Sequence, residues 1–315
     1  HHEYGLFGSK VPGRYLFPKW FSEAKRKNPG KKWVATAHSV LGPDYRFPYA
    51  GKGWQKFPRY FLNLLLAVPG NPMATLWGKK TWVSFDGVVV LYRQFVEPVR
   101  SAGCAKIAII PLPVEKVSNL VSVAPEKRTK VTLFGYFTTD KGQDIAIRAW
   151  KILGESAPNL VLAGGVRRPE DQPYFEGCRK LIEALGLANR IEVTGYVATE
   201  KLESIYAESK LVIAPFRTST GSATIPSAFS YGTAVLASDH PLNRELEERV
   251  PGCLSFFRSD SAEDLAKKIR ELLGDESRLA ALRAGGREYA EKYSSEKIAE
   301  LHLDFYRRIF EGGST

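Results

Sequence analysis

From Lys130 onward, short runs of β-branched and aliphatic residues alternate with stretches whose apolar positions recur at helical spacing. Val131–Phe134, Leu160–Leu162, Ile191–Val193, Leu211–Ala214 and Ala234–Ala237 predict buried strands. Gln143–Leu153, Gln172–Leu185, Glu200–Ser209 and Thr224–Tyr231 predict the helices between them. Such an alternation predicts a parallel sheet covered on both faces, a doubly wound α/β domain. Beyond it, Ser261-Ala-Glu-Asp264 has the form of a capping box. The helix it opens carries Leu265, Ile269, Leu272 and Leu273 on one face and is expected to end at Gly274. Further helices are predicted from Arg278 and over Ser294–Phe310. The first third also reads as α/β, with strands near Trp33–Ala37, Gly87–Leu91 and Ile107–Ile110 and a Pro/Gly-rich insertion from Gly42 to Pro72. Three strands are fewer than a Rossmann-like half normally has, so this part reads as incomplete at its N-terminus. The boundary is expected near Glu115–Thr129.

Composition narrows the class. A chain of 315 residues, 44% hydrophobic and 25% charged, has the makings of an ordinary two-domain globular protein. Its longest apolar stretch, Phe61 to Val68, is far below the ~18–20 residues of a membrane-crossing helix. Cys104, Cys178 and Cys253 are widely separated, which argues against a disulfide framework or thiolate metal site and favours a reducing, cytoplasmic setting. The chain opens His1-His2-Glu3 rather than with Met, leaving a tag remnant, a missing segment and a targeting signal all open. Net charge is +11, and the excess is concentrated: between Ser9 and Tyr60 twelve basic residues face two acids. Tyr15, Phe17, Trp20, Phe21, Trp54, Phe57 and Tyr60 are interleaved with them. That mixture suits a solvated basic face over an aromatic core or an anionic membrane surface, and nucleic acid less well.

Two loops carry candidate chemistry. Histidines are scarce, with no HExxH and no DxD among the acids, so a metal site has little support. Diphosphate chemistry in such a chain would depend on cations and backbone amides. Phe134-Gly135-Tyr136-Phe137-Thr138-Thr139-Asp140-Lys141-Gly142 sets a turn and Lys141 between a strand end and a helix, at the carboxyl edge where α/β sheets bind ligands. Pro215-Phe216-Arg217-Thr218-Ser219-Thr220-Gly221-Ser222-Ala223-Thr224 follows another strand and leads into a helix, an anion-binding layout to which Arg217 adds a fork of donors. The plain alternatives are a solvated helix start for the first and a serine-rich cap for the second.

With these pieces in order, the sequence resembles the family 4 glycosyltransferases, retaining enzymes of the GT-B fold. The resemblance rests on Gly135–Gly142, Leu162-Ala163-Gly164-Gly165, Val193-Thr194-Gly195-Tyr196-Val197, and Ile213-Ala214-Pro215 through Ala228-Phe229-Ser230-Tyr231-Gly232 to Ser238. Earlier in the chain, His2-Glu3-Tyr4-Gly5-Leu6-Phe7-Gly8, Thr36-Ala37-His38 and Ile109-Ile110-Pro111 follow the same pattern. It implies two Rossmann-like domains: an acceptor-side, partial domain over 1–122, a nucleotide-sugar domain over 123–293, and a helix over 294–315 that returns to the first. Glu3, Tyr4 and Gly5 would lie on the acceptor side. Lys141 would neutralise the departing diphosphate, with His38 facing the sugar and Arg217 a further catalytic candidate. Gly135, Tyr136, Gly164, Ser219, Thr220, Gly221, Ser222 and Ser227 would surround the donor, and Gly195 and Tyr196 would line the base pocket. No cofactor is implied; the donor is a UDP or GDP sugar and the acceptor a glycan or lipid-linked molecule, at the inner face of a membrane.

Three charged contacts common in the family are replaced here. The usual pair of glutamates falls on Ser219 and Ser227, and the arginine that often follows the glycine of the first phosphate turn is Tyr136. Two readings follow: an enzyme of the variant that carries a Thr/Ser-Gly loop, or a degenerate relative that binds a nucleotide sugar as a scaffold.

Overall fold

The structure, a computed structural model, describes residues 21–37, 82–115, 117, 123–124, 127–155, 157–218 and 222–312. It divides into two units, residues 1–111 with 298–315, and residues 112–297.

In the first unit, β1 (Val34–Ala37), β2 (Gly87–Val90) and β3 (Ile107–Ile109) form a parallel sheet in the order β1-β2-β3. All four residues of β2 are buried, as expected of a central strand covered on both faces. α1 (Val96–Ser101) lies between β2 and β3 in the chain. Phe305 and Ile309, buried residues of the terminal helix, approach Gly87 so closely that a side chain there would meet both. Of the basic window over 9–60, only 21–37 is described; there Lys25 donates to Ser84 O at 2.9 Å and reaches Asp86 Oδ1 at 3.4 Å.

The second unit holds a six-stranded parallel sheet in the order β6-β5-β4-β7-β8-β9. Its strands are β4 (Lys130–Phe134), β5 (Leu160–Ala163), β6 (Ile191–Gly195), β7 (Ser209–Ala214), β8 (Ala234–Ser238) and β9 (Ser255–Phe257). α2 (Gln143–Leu153), α3 (Gln172–Ala184), α4 (Thr199–Glu208), α5 (Thr224–Ser230) and α6 (Pro241–Arg249) link consecutive strands. α7 (Ala262–Leu273) and α8 (Glu276–Lys292) follow, and the terminal helix α9 (Ser295–Phe310) belongs from Ile298 onward to the first unit.

Strand alternation sends Val131, Leu133, Leu160, Leu162, Leu211 and Ile213 into one core with Ile145, Trp150, Cys178, Leu265 and Ile269 from the helices. The opposite face buries Val161, Val212 and Val235, with Tyr206, Phe229 and Tyr289 among the buried aromatics outside that core. Burial on both faces explains why these strands are continuous apolar runs.

The capping residue Ser261 accepts from Asp264 N at 3.2 Å, and α7 stops before Gly274 as expected. Three local expectations need correction. The next helix opens at Glu276, not Arg278, because Asp275 caps it by accepting from Arg278 N at 2.9 Å. Ser209 belongs to β7 rather than to the preceding helix, and its buried hydroxyl lies 2.6 Å from that of Thr132 on β4. The edge strand β9 was not anticipated; with three residues, one a serine, it lacks the long apolar run that marks its neighbours.

Candidate active site

Strand order alone locates a crevice. The chain runs from β4 outward through β5 to β6, then returns to the other side of β4 as β7. Ligands of open α/β sheets bind at such a reversal, outside the carboxyl ends of the strands. The two loops that diverge there are 135–142 after β4 and 215–223 after β7, the same two segments singled out for candidate chemistry in the sequence.

Backbone contacts hold these loops in register. Gly135 N donates to Ala163 O at 3.0 Å and Phe137 N to Gly165 O at 2.9 Å, tying the β4 loop to the β5 loop. At Gly164 (φ +158°) a Cβ would stand 2.0 Å from Gly135 O, so only glycine permits the approach. Gly142 is left-handed (φ +71°), and a Cβ there would stand 2.1 Å from Pro215 O, which brings the β4 and β7 loops into contact. Gln143 Nε2 donates to Tyr136 O at 2.9 Å. Gly195 (φ +68°) ends β6, and Gly164 N donates to Thr194 Oγ1 at 3.2 Å.

On this frame Lys141 reaches across the crevice. Its Nζ donates to Ser222 Oγ at 2.8 Å and sits 3.9 Å from the centroid of the buried Phe216 ring. It makes no ion pair among the described residues. Tyr136 is 42% exposed beneath the Arg167 guanidinium, and Tyr196 is 81% exposed. Ser227 stands in α5, half-buried. Glu3, Tyr4, Gly5, His38, Ser219, Thr220 and Gly221 lie outside the described residues.

Arg217 does something other than expected. Its Nη1 and Nη2 donate to both Asp144 oxygens, at 2.9 and 2.7 Å, its Nε to Asp260 Oδ1 at 2.7 Å, and Nη1 also to Thr139 O at 2.9 Å. Four of its five N–H groups are committed within the protein, so it clamps the β7 loop to the start of α2 rather than presenting an open fork. The helix-dipole expectation is also reduced: α5 has seven residues and Ala223 caps it with no side-chain hydrogen bond, so its aligned dipoles are few. Phe216 beneath Lys141, and Asp144 and Asp260 around Arg217, were not foreseen, because their pairing depends on which strands become neighbours. Among the described residues no three His, Cys, Asp or Glu side chains come together as a metal site.

Residues 119–291, a stretch that contains both loops, match the model of the family Glycosyl transferases group 1. The chain belongs to this family. A D-inositol 3-phosphate glycosyltransferase of Catenulispora acidiphila is 30% identical over 179 residues, 55% of this chain and 42% of that protein. The human GDP-Man:Man(3)GlcNAc(2)-PP-Dol alpha-1,2-mannosyltransferase is 26% identical over 188 residues, 56% of this chain and 38% of that protein. The matches thus span about two fifths of these relatives' lengths. Among solved structures, sucrose-phosphate synthase of Thermosynechococcus elongatus superposes with a TM-score of 0.70 at 19% identity, covering 93% of this chain and 72% of that one. Anabaena HepE in complex with UDP gives 0.69 at 17% identity, covering 93% and 77%. The GT-B fold, with two Rossmann-like domains, accounts for the two parallel sheets. No helix among the described residues is long and apolar enough to cross a membrane.

Within this group 1 glycosyltransferase fold, the two loop cations have opposite electrostatics. Burial pushes the Asp144 carboxyl up, but hydrogen bonds from Arg217 and Tyr174 outweigh it and hold it below the usual carboxylate range. That pair stabilises the fold at neutral pH. Lys141 is pulled down from 10.5 to about 8 by desolvation, which the charge of Asp140 opposes in part. The unfolded chain keeps this proton up to 10.5 and the folded protein only to about 8, so folding is penalised most below pH 8 and the penalty fades as pH rises to 10.5.

Two measurements check this frame. Lys141→Met should raise the unfolding free energy measured in urea at pH 7, by about 1 kcal/mol or more once the lost hydrogen bond is allowed for, with the gain shrinking towards pH 10; a loss at pH 7 contradicts the assignment. Gly142→Ala should cost about 3 kcal/mol or more because backbone must move, whereas Gly186→Ala, equally left-handed (φ +69°) but in open space, should cost about 1–2 kcal/mol. Equal losses would mean that the two loops do not depend on contact at Gly142.

Proposed function

We propose that this chain belongs to a retaining glycosyltransferase that moves a sugar from a UDP or GDP sugar to a glycan or lipid-linked acceptor without a metal ion. One observation carries the reading: Lys141 is held at the strand reversal, partly desolvated and without an ion-pair partner among the described residues. A diphosphate supplies the missing countercharge. As the bond from the sugar to the diphosphate breaks, negative charge grows on the leaving oxygen, and an ammonium already fixed there stabilises it without reorganising. The same oxygen then accepts the proton of the incoming acceptor hydroxyl on the same face, so no protein nucleophile is required. Arg217 acts indirectly, by fixing the turn that bears Lys141. On this reading Gly195 and Tyr196 border the base.

Relatives and structural neighbours fit this chemistry. The names of two relatives specify GDP-mannose donors, one with a dolichol diphosphate and one with a phosphatidylinositol acceptor, and HepE was solved with UDP. A lipid-linked acceptor also gives the basic, aromatic window over 9–60 a role at an anionic membrane surface on the cytoplasmic side.

Calorimetric titration of UDP and GDP in EDTA is the test. One of them is expected to bind in the micromolar range, with Lys141→Met weakening it roughly 10- to 150-fold, the range for a charged hydrogen bond. Binding that requires added Mg²⁺, or is unchanged in Lys141→Met, contradicts the proposal. A second reading, a nucleotide-sugar-binding scaffold, is favoured by Ser219 and Ser227, which stand where the resemblance expects glutamates. It predicts the same binding but no release of UDP or GDP from any sugar nucleotide.

A further inference from the structure

Counting protons fixes the direction of every hydrogen bond around Lys141. Thr224 Oγ1 lies 3.1 Å from Phe134 O, which can only accept, so the single Thr224 hydroxyl proton goes there. Ser222 Oγ lies 2.9 Å from Thr224 Oγ1. Because Thr224 has no proton left, Ser222 must donate to it. Both remaining lone pairs of Ser222 are filled, one by Thr224 N at 3.3 Å and one by Lys141 Nζ at 2.8 Å. The Ser222 hydroxyl is saturated inside the protein and has nothing left for a substrate. Thr224 itself is 4% exposed, and Phe134 is fixed in the ladder opposite Ala163. The chain Phe134 O, Thr224, Ser222, Lys141 therefore runs from the rigid sheet to the ammonium.

We propose that Thr224 is a positioning residue for Lys141: by orienting the Ser222 hydroxyl, it holds the ammonium at the carboxyl end of β4 with an N–H free for the donor diphosphate. This rests on the function proposed above and names a residue that the sequence pattern did not single out. The mount is uncharged by design of its chemistry. A carboxylate in place of Ser222 would hold the lysine as well but would cancel the charge that the diphosphate needs, whereas two hydroxyls and the Phe216 ring orient the ammonium and leave its full charge available. Only one of the three ammonium protons is used by Ser222 and a second faces the ring; among the described residues the third has no acceptor.

The test compares the unaltered 315-residue chain with Thr224→Val, which keeps the shape and removes the hydroxyl, and Thr224→Ser, which keeps the hydroxyl. UDP and GDP are titrated as phosphate-bearing probes, uridine and guanosine as phosphate-free ones. In the ligand-free protein the ¹H–¹⁵N resonance of the Lys141 ammonium is followed by NMR. Thr224→Val is expected to weaken the bound nucleoside diphosphate about tenfold, to leave the nucleoside within about twofold, and to shift or broaden the Lys141 resonance; Thr224→Ser should restore both. Should Thr224→Val not fold, Ser222→Ala is expected to reproduce its pattern. The inference is overturned by an unmoved Lys141 resonance in Thr224→Val, by equal losses in the Val and Ser variants, or by equal losses for nucleoside and diphosphate. If neither diphosphate binds the unaltered chain, the proposed function falls, while the NMR comparison still decides whether Thr224 places Lys141.

Discussion

An ammonium group with no ion-pair partner among the described residues, kept partly out of water, is the constraint around which the second unit is arranged. Desolvation alone would let Lys141 swing into solvent, where its charge is best hydrated. It stays because the turn that carries it is fixed on both sides: by Gly142 against Pro215 O, by Arg217 N on Asp140 O, and by the Arg217 guanidinium on Thr139 O and Asp144. A lysine lowered from 10.5 to about 8 corresponds to a penalty on the order of 3 kcal/mol at neutral pH. That is a sizeable part of the ~5–15 kcal/mol that a domain has in total. On the function proposed above, that cost serves binding of the donor.

Arg217 and Lys141 divide the work of cations between them. Arg217 is matched to two carboxylates and stabilises the loops; Lys141 is paired with none among the described residues, which is what the proposed role as a receptor for negative charge requires. Exchanging these roles would fail on geometry as well as charge. The planar guanidinium satisfies a bidentate carboxylate and a carbonyl together, while a compact ammonium suits a position between a hydroxyl and a ring face. The strand order explains why both meet here: β4 and β7 are adjacent although α2 through α4 separate them in the chain.

Much of this was legible in the sequence, for a physical reason. Strands buried on both faces must be apolar throughout, so Val131–Phe134, Leu160–Leu162 and Leu211–Ala214 announce themselves, and the glycines that permit close loop contacts leave a spacing pattern. Lys141 was identifiable because it stands at a strand-to-helix turn. What could not be read were interactions made only after the sheet is assembled. Arg217 looks like a free hydrogen-bond donor to an anion until Asp144 and Asp260 fold against it, 73 and 43 residues away in sequence. Thr224 looks like an ordinary residue of a helix start until β7 is placed beside β4. The edge strand β9 carries too little apolar sequence to be distinguished from a turn.

On the proposed function, a diphosphate supplies the countercharge to Lys141. The most direct measurement of that pairing is the number of protons taken up when UDP or GDP binds at pH 8, obtained by calorimetry in buffers of different ionisation enthalpy. Bound phosphate should return the lysine towards its ordinary range, so about half a proton per nucleotide is expected from a group that titrates near 8, and none from Lys141→Met. Binding without proton uptake, or with the same uptake in the variant, would contradict the account.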